Sequence, residues 1–501
     1  MWYSREGEFK VRGYERMPGE KRKIRGKSIT IGKRRQRRKK SGIWLLGMVI
    51  AATVIGLTGN RQWLGKSGIE KKKIQTKPIK SEISGEKNTP QYAEYTVNPV
   101  NKDNARRLTQ QDFSHIDTIA KSIIYEGDSV DQLSDILSQH AKTAAEKARI
   151  IYTWIAHNIK YDVSALSAIK DGQPPDVTVE NVLRKRVTVC GGYANLYQKL
   201  AEKMGLKSVI IEGYGRGADF GLFPLDYQVN HAWNAVEIDG NWYLLDVTWG
   251  AGHVKDGIFY PEFEPFYFAT PPEKLIYTHF PQDAKWQLLD NPISREKFDS
   301  LPRVYPAFFK NNIQLVSHPH DKIEATNSLG VVLKTPLNVE VVANLKSEEK
   351  PVEGNYILVQ KDAANTIINV TFPEKGKYKL DIFAKKEDGN NSYPIAVTYQ
   401  VYASGRGNEF PETYKHFHEH NGYLESPITG KLNKNQNYYF RLKIDDATEV
   451  KVVNLSTNRW YNLTAYGNIF AGNVNVGDGN IVVYAKFPRD ARYWGLLKYS
   501  P

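Results

Sequence analysis

The sequence has 501 residues, a formal net charge of +14 and a single cysteine. Its length allows two to four domains with hydrophobic cores, and the single cysteine excludes a disulfide bond within the chain. Residues 1–40 contain 16 Lys and Arg against 4 Asp and Glu, so the remaining 461 residues carry a net charge of only +2. That balance excludes a strongly basic globular domain of the kind that binds nucleic acid.

Residues 1–41 form a basic tail, and the next segment, residues 42–59, has no charged residue. This segment is at the short end for a membrane span. Basic residues before a span favour a cytoplasmic N-terminus, so we expect a single transmembrane anchor with the rest of the chain outside. A cleaved signal peptide is the alternative, disfavoured by the long basic region and the lack of a small-residue cleavage site. A nucleic-acid or nuclear-import role of the basic cluster would rest on charge alone.

Residues 60–106 are polar and poor in apolar positions, which predicts a disordered tether. The first folded domain is expected at residues 107–300. Thr143 and Glu146 have the spacing of a capping box, and an apolar stripe at helical spacing follows them. Trp154 and Tyr161 are expected in the core or in the wall of a cleft.

Cys190 begins a predicted helix, because apolar residues recur behind it at helical spacing and Gly205 ends the run. A cysteine at a helix N-terminus faces free backbone N–H groups and the positive end of the helix dipole, which favour the thiolate. Gly191 and Gly192 would leave room for a substrate backbone and supply N–H donors to an oxyanion. Tyr161 is the other candidate donor.

A β-hairpin is predicted after this helix, with Asp239-Gly240 as its two-residue turn. If Ile238 faces Asn241, then Asp246 lies opposite Trp233 and His231 opposite Thr248. His231 and Asp246 would be diagonal neighbours on one face, within side-chain reach. Cys190, His231 and Asp246 thus have the order and chemistry of a nucleophile, a base and the group that orients the base.

Residues 213–228 contain several glycines and are expected to form a loop over the cleft. A phosphate-binding loop is excluded there, because the strand, helix and Lys-Ser/Thr pair that such a loop needs are missing. The aromatic-rich residues 259–268 are expected to pack in the core, with a substrate groove as the less favoured alternative.

Several motifs resemble the transglutaminase-like superfamily, in the branch that includes kyphoscoliosis-peptidase-like, cytokinesis and bacterial proteins. The resemblance covers residues 110–501 and is most specific from 145 to 290. It implies a papain-like α+β core with Cys190 as nucleophile, His231 as base and acid, and Asp246 as the orienting carboxylate. We expect substrate contacts from five residues and neither a cofactor nor a metal; the five are Gly191, Gly192, Tyr193, Trp233 and Tyr161.

Alternating apolar residues after position 301 predict two β-sandwich modules, at residues 301–404 and 405–501. Relatives in the resembled branch carry Ig-like modules in the same place. His416, His418 and His420 would share one face if they lay on a strand, but a solvated loop is the favoured interpretation, as it is for His318 and His320.

The leading functional hypothesis is a membrane-anchored cysteine enzyme that acts on protein or peptide amide bonds through an acyl-thioester. Because one triad serves both outcomes, the sequence does not choose between a peptidase and a transamidase. The alternative is a non-enzymatic scaffold whose Ig-like modules bind proteins at a cell surface or wall. The presence of all three triad residues favours the enzyme.

Overall fold

The computed structural model of the protein describes residues 2–3, 9–10, 108–171, 173–217, 229–387 and 392–501. Within this part of the chain, no helix is both long enough and apolar enough to cross a membrane. The predicted anchor and tether, residues 42–106, lie outside the described residues. The described part of the basic tail is a pair of short strands, β1 (Trp2–Tyr3) and β2 (Phe9–Lys10).

The first large domain packs helices against an antiparallel sheet around one apolar core. Its helices are α1 (Ser114–Ser122), α2 (Val130–Ser138), α3 (Ala144–Asn158), α4 (Ala165–Lys170), α5 (Val179–Lys185), α6 (Cys190–Lys203), α7 (Val247–Ala251), α8 (Pro272–Leu275) and α9 (Arg295–Ser300). Short 3₁₀ turns lie at Pro265–Tyr267 and Ala284–Gln287.

Helix α3 confirms the predicted capping box. The Thr143 hydroxyl accepts the Glu146 N–H at 3.1 Å, and the Glu146 carboxylate accepts the Thr143 N–H at 3.0 Å. These two bonds satisfy backbone donors that a helix start otherwise leaves unpaired. Trp154, on the same helix, is fully buried, as expected of a core residue.

The strands of this domain form a four-stranded sheet in the order β10-β5-β6-β7, with two small pairs beside it. They are β3 (Lys160–Tyr161), β4 (Val187–Thr188), β5 (Ser208–Gly215), β6 (His231–Ile238), β7 (Asn241–Leu245), β8 (Gly252–Lys255), β9 (Ile258–Pro261) and β10 (His279–Pro281). β3 pairs with β4 in parallel, and β8 pairs with β9 as a hairpin.

The hairpin of β6 and β7 has the predicted register, with Ile238 opposite Asn241. Asp239 and Gly240 have φ values of 50° and 77°, the left-handed conformation that a two-residue turn of this type needs. The prediction for Thr248 is wrong, however. β7 ends at Leu245, and Asp246 begins helix α7, so Thr248 is helical and His231 pairs with Gly213 of β5 instead.

The predicted loop at 213–228 also needs correction, because Gly213 to Gly215 belong to β5. Residues 218–228 lie outside the described residues. Residues 259–268 supply aromatic rings to the core, as predicted: Tyr267 and Phe268 are buried, and Phe263 and Phe266 pack against that core.

Residues 303–403 form two packed sheets with the orders β11-β20-β19-β15-β16 and β12-β14-β18-β17, and β13 joins β20 in parallel. The strands are β11 (Arg303–Val304), β12 (Gln314–Leu315), β13 (Lys322–Ala325), β14 (Ser328–Lys334), β15 (Val339–Ser347), β16 (Lys350–Pro351), β17 (Ile357–Asp362), β18 (Asn365–Thr371), β19 (Gly376–Lys386) and β20 (Ile395–Ala403), with helix α10 (Pro306–Lys310) after β11. The apolar residues that alternate in the sequence, such as Ile368 and Val370, are fully buried between the sheets.

Residues 412–499 repeat this arrangement with the sheet orders β21-β29-β28-β24-β25 and β22-β23-β27-β26. The elements are β21 (Glu412–Thr413), α11 (Lys415–Glu419), β22 (Tyr423–Ser426), β23 (Asn437–Lys443), β24 (Glu449–Asn454), β25 (Arg459–Asn462), β26 (Thr464–Tyr466), β27 (Ile469–Asn475), β28 (Ile481–Lys486) and β29 (Tyr493–Tyr499).

The His416 cluster lies on neither a strand nor a loop, because His416 and His418 belong to helix α11 and His420 ends it. His418 Nε2 lies 2.9 Å from the Thr413 hydroxyl, and the His420 ring stacks on Phe487 at 3.6 Å. The His416 ring stacks on that of His420 at 6.0 Å and lies 6.0 Å from Phe487, so these two imidazoles share an aromatic neighbour and His418 has a different partner.

Candidate active site

Cys190 is the first residue of helix α6, and its side chain is partly exposed. The preceding residue, Val189, is extended, and its carbonyl accepts the N–H groups of Gly192 and Tyr193 at 2.9 and 3.2 Å. The other two backbone donors of this first turn are the N–H groups of Cys190 and Gly191. The thiol thus lies at the positive end of the helix dipole, as predicted.

His231 is the first residue of β6 and is buried between Cys190 and Asp246. Its Nε2 atom lies 2.7 Å from Asp246 Oδ2, and the ring is also hydrogen-bonded to the Cys190 thiol. Because Nε2 faces the carboxylate, Nδ1 is the ring nitrogen left for the thiol. Burial opposes a charge on this ring, but the attraction of Asp246 and the two hydrogen bonds outweigh it and raise the pKa of His231 well above its ordinary value.

Asp246 is fully buried at the junction of β7 and α7. Its Oδ1 atom accepts the N–H of Trp249 at 3.1 Å and so caps helix α7, while Oδ2 accepts the hydrogen bond of His231. Burial alone would raise the pKa of this carboxyl group. The attraction and hydrogen bond of His231, together with the hydrogen bond of His279, outweigh burial and hold the pKa of Asp246 well below its ordinary range.

His279, on β10, was not among the predicted site residues. Its Nε2 atom lies 2.9 Å from the same Asp246 Oδ2 atom, and its Nδ1 atom lies 2.8 Å from the Thr278 hydroxyl. Burial and the repulsion of His231 lower the pKa of His279. The hydrogen bond and the charge of Asp246 oppose this shift without cancelling it. His279 reaches the site through the pairing of β10 with β5. The local sequence does not predict that pairing, so it gives no signal that separates His279 from an ordinary strand histidine.

Two glycines of β5 allow the sheet to approach the histidine closely. A Cβ atom on Gly215 would lie 2.9 Å from Cβ and Cγ of His231, and one on Gly213 would lie 2.6 Å from the Trp233 ring. Since such distances are too short for a real Cβ atom, the Gly-Tyr-Gly motif at 213–215 is required by the packing of β5 against β6.

Three of the five residues predicted to contact substrate are buried in the structure. Trp233 and Tyr193 are each only 1% exposed, and the Tyr193 hydroxyl donates to the Ile159 carbonyl at 2.8 Å. Gly192 is buried with its N–H already bonded, and the Thr188 hydroxyl occupies the space where its Cβ atom would be. These residues build the core behind the thiol. The Trp233 ring, for example, stacks on that of His231 at 5.9 Å.

The other two positions are open enough to meet a substrate. Gly191 is half-buried, and the nearest atoms to a Cβ built on it are the Val177 methyl groups at about 4 Å. Tyr161 is half-buried and has its ring 6.3 Å from that of Phe259 on the β8–β9 hairpin. Substrate contact at these two residues stays a prediction.

The groups that could hold a metal ion in the described part of the chain are His231, Asp246 and His279, whose ligand atoms lie within 4.8 Å of one another. Both imidazoles, however, already donate to one carboxylate oxygen, and all three side chains are at least nine-tenths buried. Hydrogen bonding therefore accounts for this cluster, and the arrangement is that of a cysteine–histidine–aspartate system with a second histidine behind the aspartate.

Comparison with known families agrees with this geometry. Residues 131–247, which include Cys190, His231 and Asp246, match the transglutaminase-like superfamily, and residues 295–413 match the KY-like, immunoglobulin-like domain. The chain thus contains a transglutaminase-like domain followed by a KY-like immunoglobulin-like domain, and the family resemblance predicted from the sequence is confirmed.

The chain is also similar to individual proteins from several organisms. Kyphoscoliosis peptidase of Homo sapiens is 32% identical over 314 residues, which are 61% of this chain and 45% of that protein. Hillarin of Drosophila melanogaster is 28% identical over 338 residues, covering 61% of this chain and 39% of its own. Cytokinesis protein 3 of Schizosaccharomyces pombe is 24% identical over 263 residues, which are 49% of this chain and 28% of that protein. The chain spans less than half the length of these relatives.

Proposed function

We propose that the protein is a cysteine enzyme that acts on amide bonds of proteins or peptides. The observation that carries this proposal is the buried 2.7 Å bond between His231 and Asp246, with the Cys190 thiol on the other side of the imidazole. A raised His231 pKa favours transfer of the thiol proton to the ring. The ring is therefore placed to accept the thiol proton as the sulfur attacks.

In the proposed reaction the Cys190 thiolate attacks the amide carbonyl carbon. The imidazolium of His231 gives its proton to the leaving amine, the carbon–nitrogen bond breaks and an acyl-thioester remains. The N–H groups of Cys190 and Gly191 are placed to stabilise the oxyanion, with Tyr161 as the other candidate. Water then releases an acid, or a second amine forms a new amide, and His231 takes the proton of the attacking group.

The thiol chemistry can be tested before any substrate is known. Since Cys190 is the single cysteine, iodoacetamide alkylation of the full chain reports on this residue alone. We expect fast alkylation at pH 6 to 7 and at least a tenfold loss in His231→Ala. The same chain unfolded in urea gives the rate of an ordinary thiol. Equal rates in the folded and unfolded chains would contradict the proposal.

Products distinguish the two outcomes of the thioester. Mass spectrometry of a peptide mixture incubated with the enzyme would find new peptide ends if water is the acceptor. It would find loss of ammonia and a new isopeptide bond if an amine is the acceptor. Similarity to proteins named kyphoscoliosis peptidase supports hydrolysis as the first reaction to test.

We also propose that residues 42–59 anchor the protein in a membrane, with the basic tail in the cytoplasm and the enzyme domain outside. The single cysteine provides the test. A membrane-impermeant maleimide added to intact cells should label Cys190, and a Ser28→Cys, Cys190→Ala chain should be labelled only after lysis. Labelling of Ser28→Cys in intact cells, or of Cys190 only after lysis, would overturn this topology.

A second candidate is a scaffold in which the transglutaminase-like domain binds partners without catalysis. The observation that favours it is the large share of the chain in the two β-sandwiches, residues 303–403 and 412–499. Replacing Cys190 by Ala separates the two functions. A scaffold keeps its cellular effect in Cys190→Ala at unchanged abundance, whereas an enzyme loses it.

A further inference from the structure

The Asp246 carboxylate is shared between two imidazoles. His231 Nε2 and His279 Nε2 lie 2.7 and 2.9 Å from the same Oδ2 atom, and Oδ1 is used by the N–H of Trp249 at 3.1 Å. Each donor to one oxygen draws on the same negative charge. A second donor therefore weakens the hold of the carboxylate on the first.

The Asp246 carboxylate determines which nitrogen of a neutral His279 carries the proton, and the other nitrogen faces Thr278. The Thr278 hydroxyl lies 2.8 Å from His279 Nδ1 and 3.1 Å from the Leu275 carbonyl, and it has one proton to give. If a neutral His279 carried its proton on Nδ1, a nitrogen lone pair would face the Asp246 carboxylate. The stable arrangement of a neutral ring is a Thr278 hydroxyl that donates to Nδ1 and an Nε2–H that donates to Asp246.

The ring of His279 is also fixed by packing. Its centroid lies 4.5 Å from that of Trp249 and 5.1 Å from that of Trp233, and the side chain is fully buried. The titratable groups that face it are Asp246, His231 and Tyr267, whose ring lies 6.1 Å away. Burial raises the pKa of Tyr267 well above its ordinary value, so Tyr267 stays neutral.

We propose that His279 is a positioning residue that holds the Asp246 carboxylate in place and limits the charge that this carboxylate offers to His231. The inference rests on the proposed enzymatic function. An imidazolium held by an unshared buried carboxylate keeps its proton, whereas catalysis requires His231 to give that proton to the leaving amine. Sharing Asp246 with a neutral second donor favours the transfer of the proton from His231 to the leaving amine.

The test is the pH profile of Cys190 alkylation in the full chain. The reagent is iodoacetate, whose negative charge is attracted by the imidazolium, so the rate falls when His231 loses its proton and this upper limb of the profile reports that step. In His279→Phe, which keeps a ring against Trp249 but has no donor, we expect this limb to move up by roughly one pH unit. In His279→Gln, whose amide N–H has a similar reach to Nε2, the limb should stay within about 0.3 pH units of the wild type.

A purely structural role of His279 would lower the alkylation rate without moving the limb. An unchanged limb in a folded His279→Phe chain, a downward shift, or a shift that His279→Gln does not reverse would overturn the proposal. If His279→Phe does not fold, His279→Leu is the second variant, because it also lacks a hydrogen-bond donor and should move the same limb upward. Absence of an activated thiol in the wild type would instead contradict the enzymatic function itself.

Discussion

Asp246 has two functions that depend on different oxygen atoms of one side chain. Oδ1 caps helix α7 through the Trp249 N–H, and Oδ2 accepts the His231 and His279 bonds. A buried carboxylate with this many donors is stable as an anion, although burial by itself would favour its neutral form. Its charge is therefore linked to the stability of the fold.

We expect Asp246→Asn to show this link as a pH-dependent loss of stability. The pKa of Asp246 is lowered by folding, so its contribution to the free energy of unfolding is present above about pH 4 and is lost as the pH falls. The pKa of His231 is raised by folding, so its contribution is complete below about pH 6.5 and is lost as the pH rises through the folded value. The difference between wild type and variant should be largest between these limits, at about 2–4 kcal/mol.

Calorimetry at pH 3, 5.5 and 9 measures this difference. Asp256→Asn is the matched control, because Asp256 is exposed in the turn between β8 and β9. A stability loss in Asp246→Asn that is the same at all three pH values would show that the charge of the carboxylate does not stabilise the fold.

A second prediction at the scale of single residues concerns the glycines of β5. In Gly215→Ala the new methyl group would press on the His231 ring, so we expect at least a tenfold loss of Cys190 alkylation and a destabilisation of about 1–3 kcal/mol. Gly330→Ala on β14 is the control, because a Cβ atom there meets no atom within 4 Å. Unchanged alkylation in Gly215→Ala would mean that His231 has room to move.

At the scale of elements, the candidate active site depends on where a helix or strand begins or ends. Cys190 begins α6, His231 begins β6, and Asp246 lies between the end of β7 and the start of α7. Cys190 and Asp246 thus lie at the start of a helix, where unpaired backbone N–H groups favour anions. The site is held in place by helix α3, which packs against both α6 and α7.

The start of α3 can be weakened without touching the site. We expect Thr143→Ala to lower the free energy of unfolding by about 1 kcal/mol, since it removes one half of the capping box. Thr143→Ser keeps a hydroxyl at the same place and should lower the free energy of unfolding by less than half of that amount. Chemical denaturation of the three chains gives the comparison, and equal losses in both variants would argue against the cap.

Across the whole molecule, the domains share side chains at their boundaries. Phe266 of the transglutaminase-like domain stacks on Phe309 at 5.4 Å, and Lys310 pairs with Glu264 at 2.7 Å. Leu358, on β17 of the first sandwich, is buried in the core of the second, and the Gln360 side chain accepts the Leu424 N–H at 2.6 Å.

Leu358→Ala should therefore separate the unfolding of the two sandwiches. We expect a destabilisation of about 2–5 kcal/mol for loss of this buried side chain, together with a new low-temperature transition in calorimetry. Leu337→Ala is the control, because Leu337 is 74% exposed. A single transition, shifted equally in both variants, would contradict the coupling.

Prediction from the sequence succeeded where the determining contacts are local. The capping box, the start of α6 and the Asp239-Gly240 turn each depend on residues within a few positions of one another. It failed where a distant strand decides. The burial of Trp233 and the presence of His279 in the site both follow from the order of strands in the sheet, which no local pattern specifies.

The two roles of Asp246 determine the order in which site residues would be lost during evolution. Cys190 is partly exposed and its only role in the proposed function is catalysis, so a descendant free of selection for that catalysis could lose the thiol at little cost to folding. Asp246 could not be lost so cheaply, since helix α7 would lose its cap and two buried imidazoles their acceptor. Descendants that no longer catalyse should thus keep the aspartate long after the cysteine has gone.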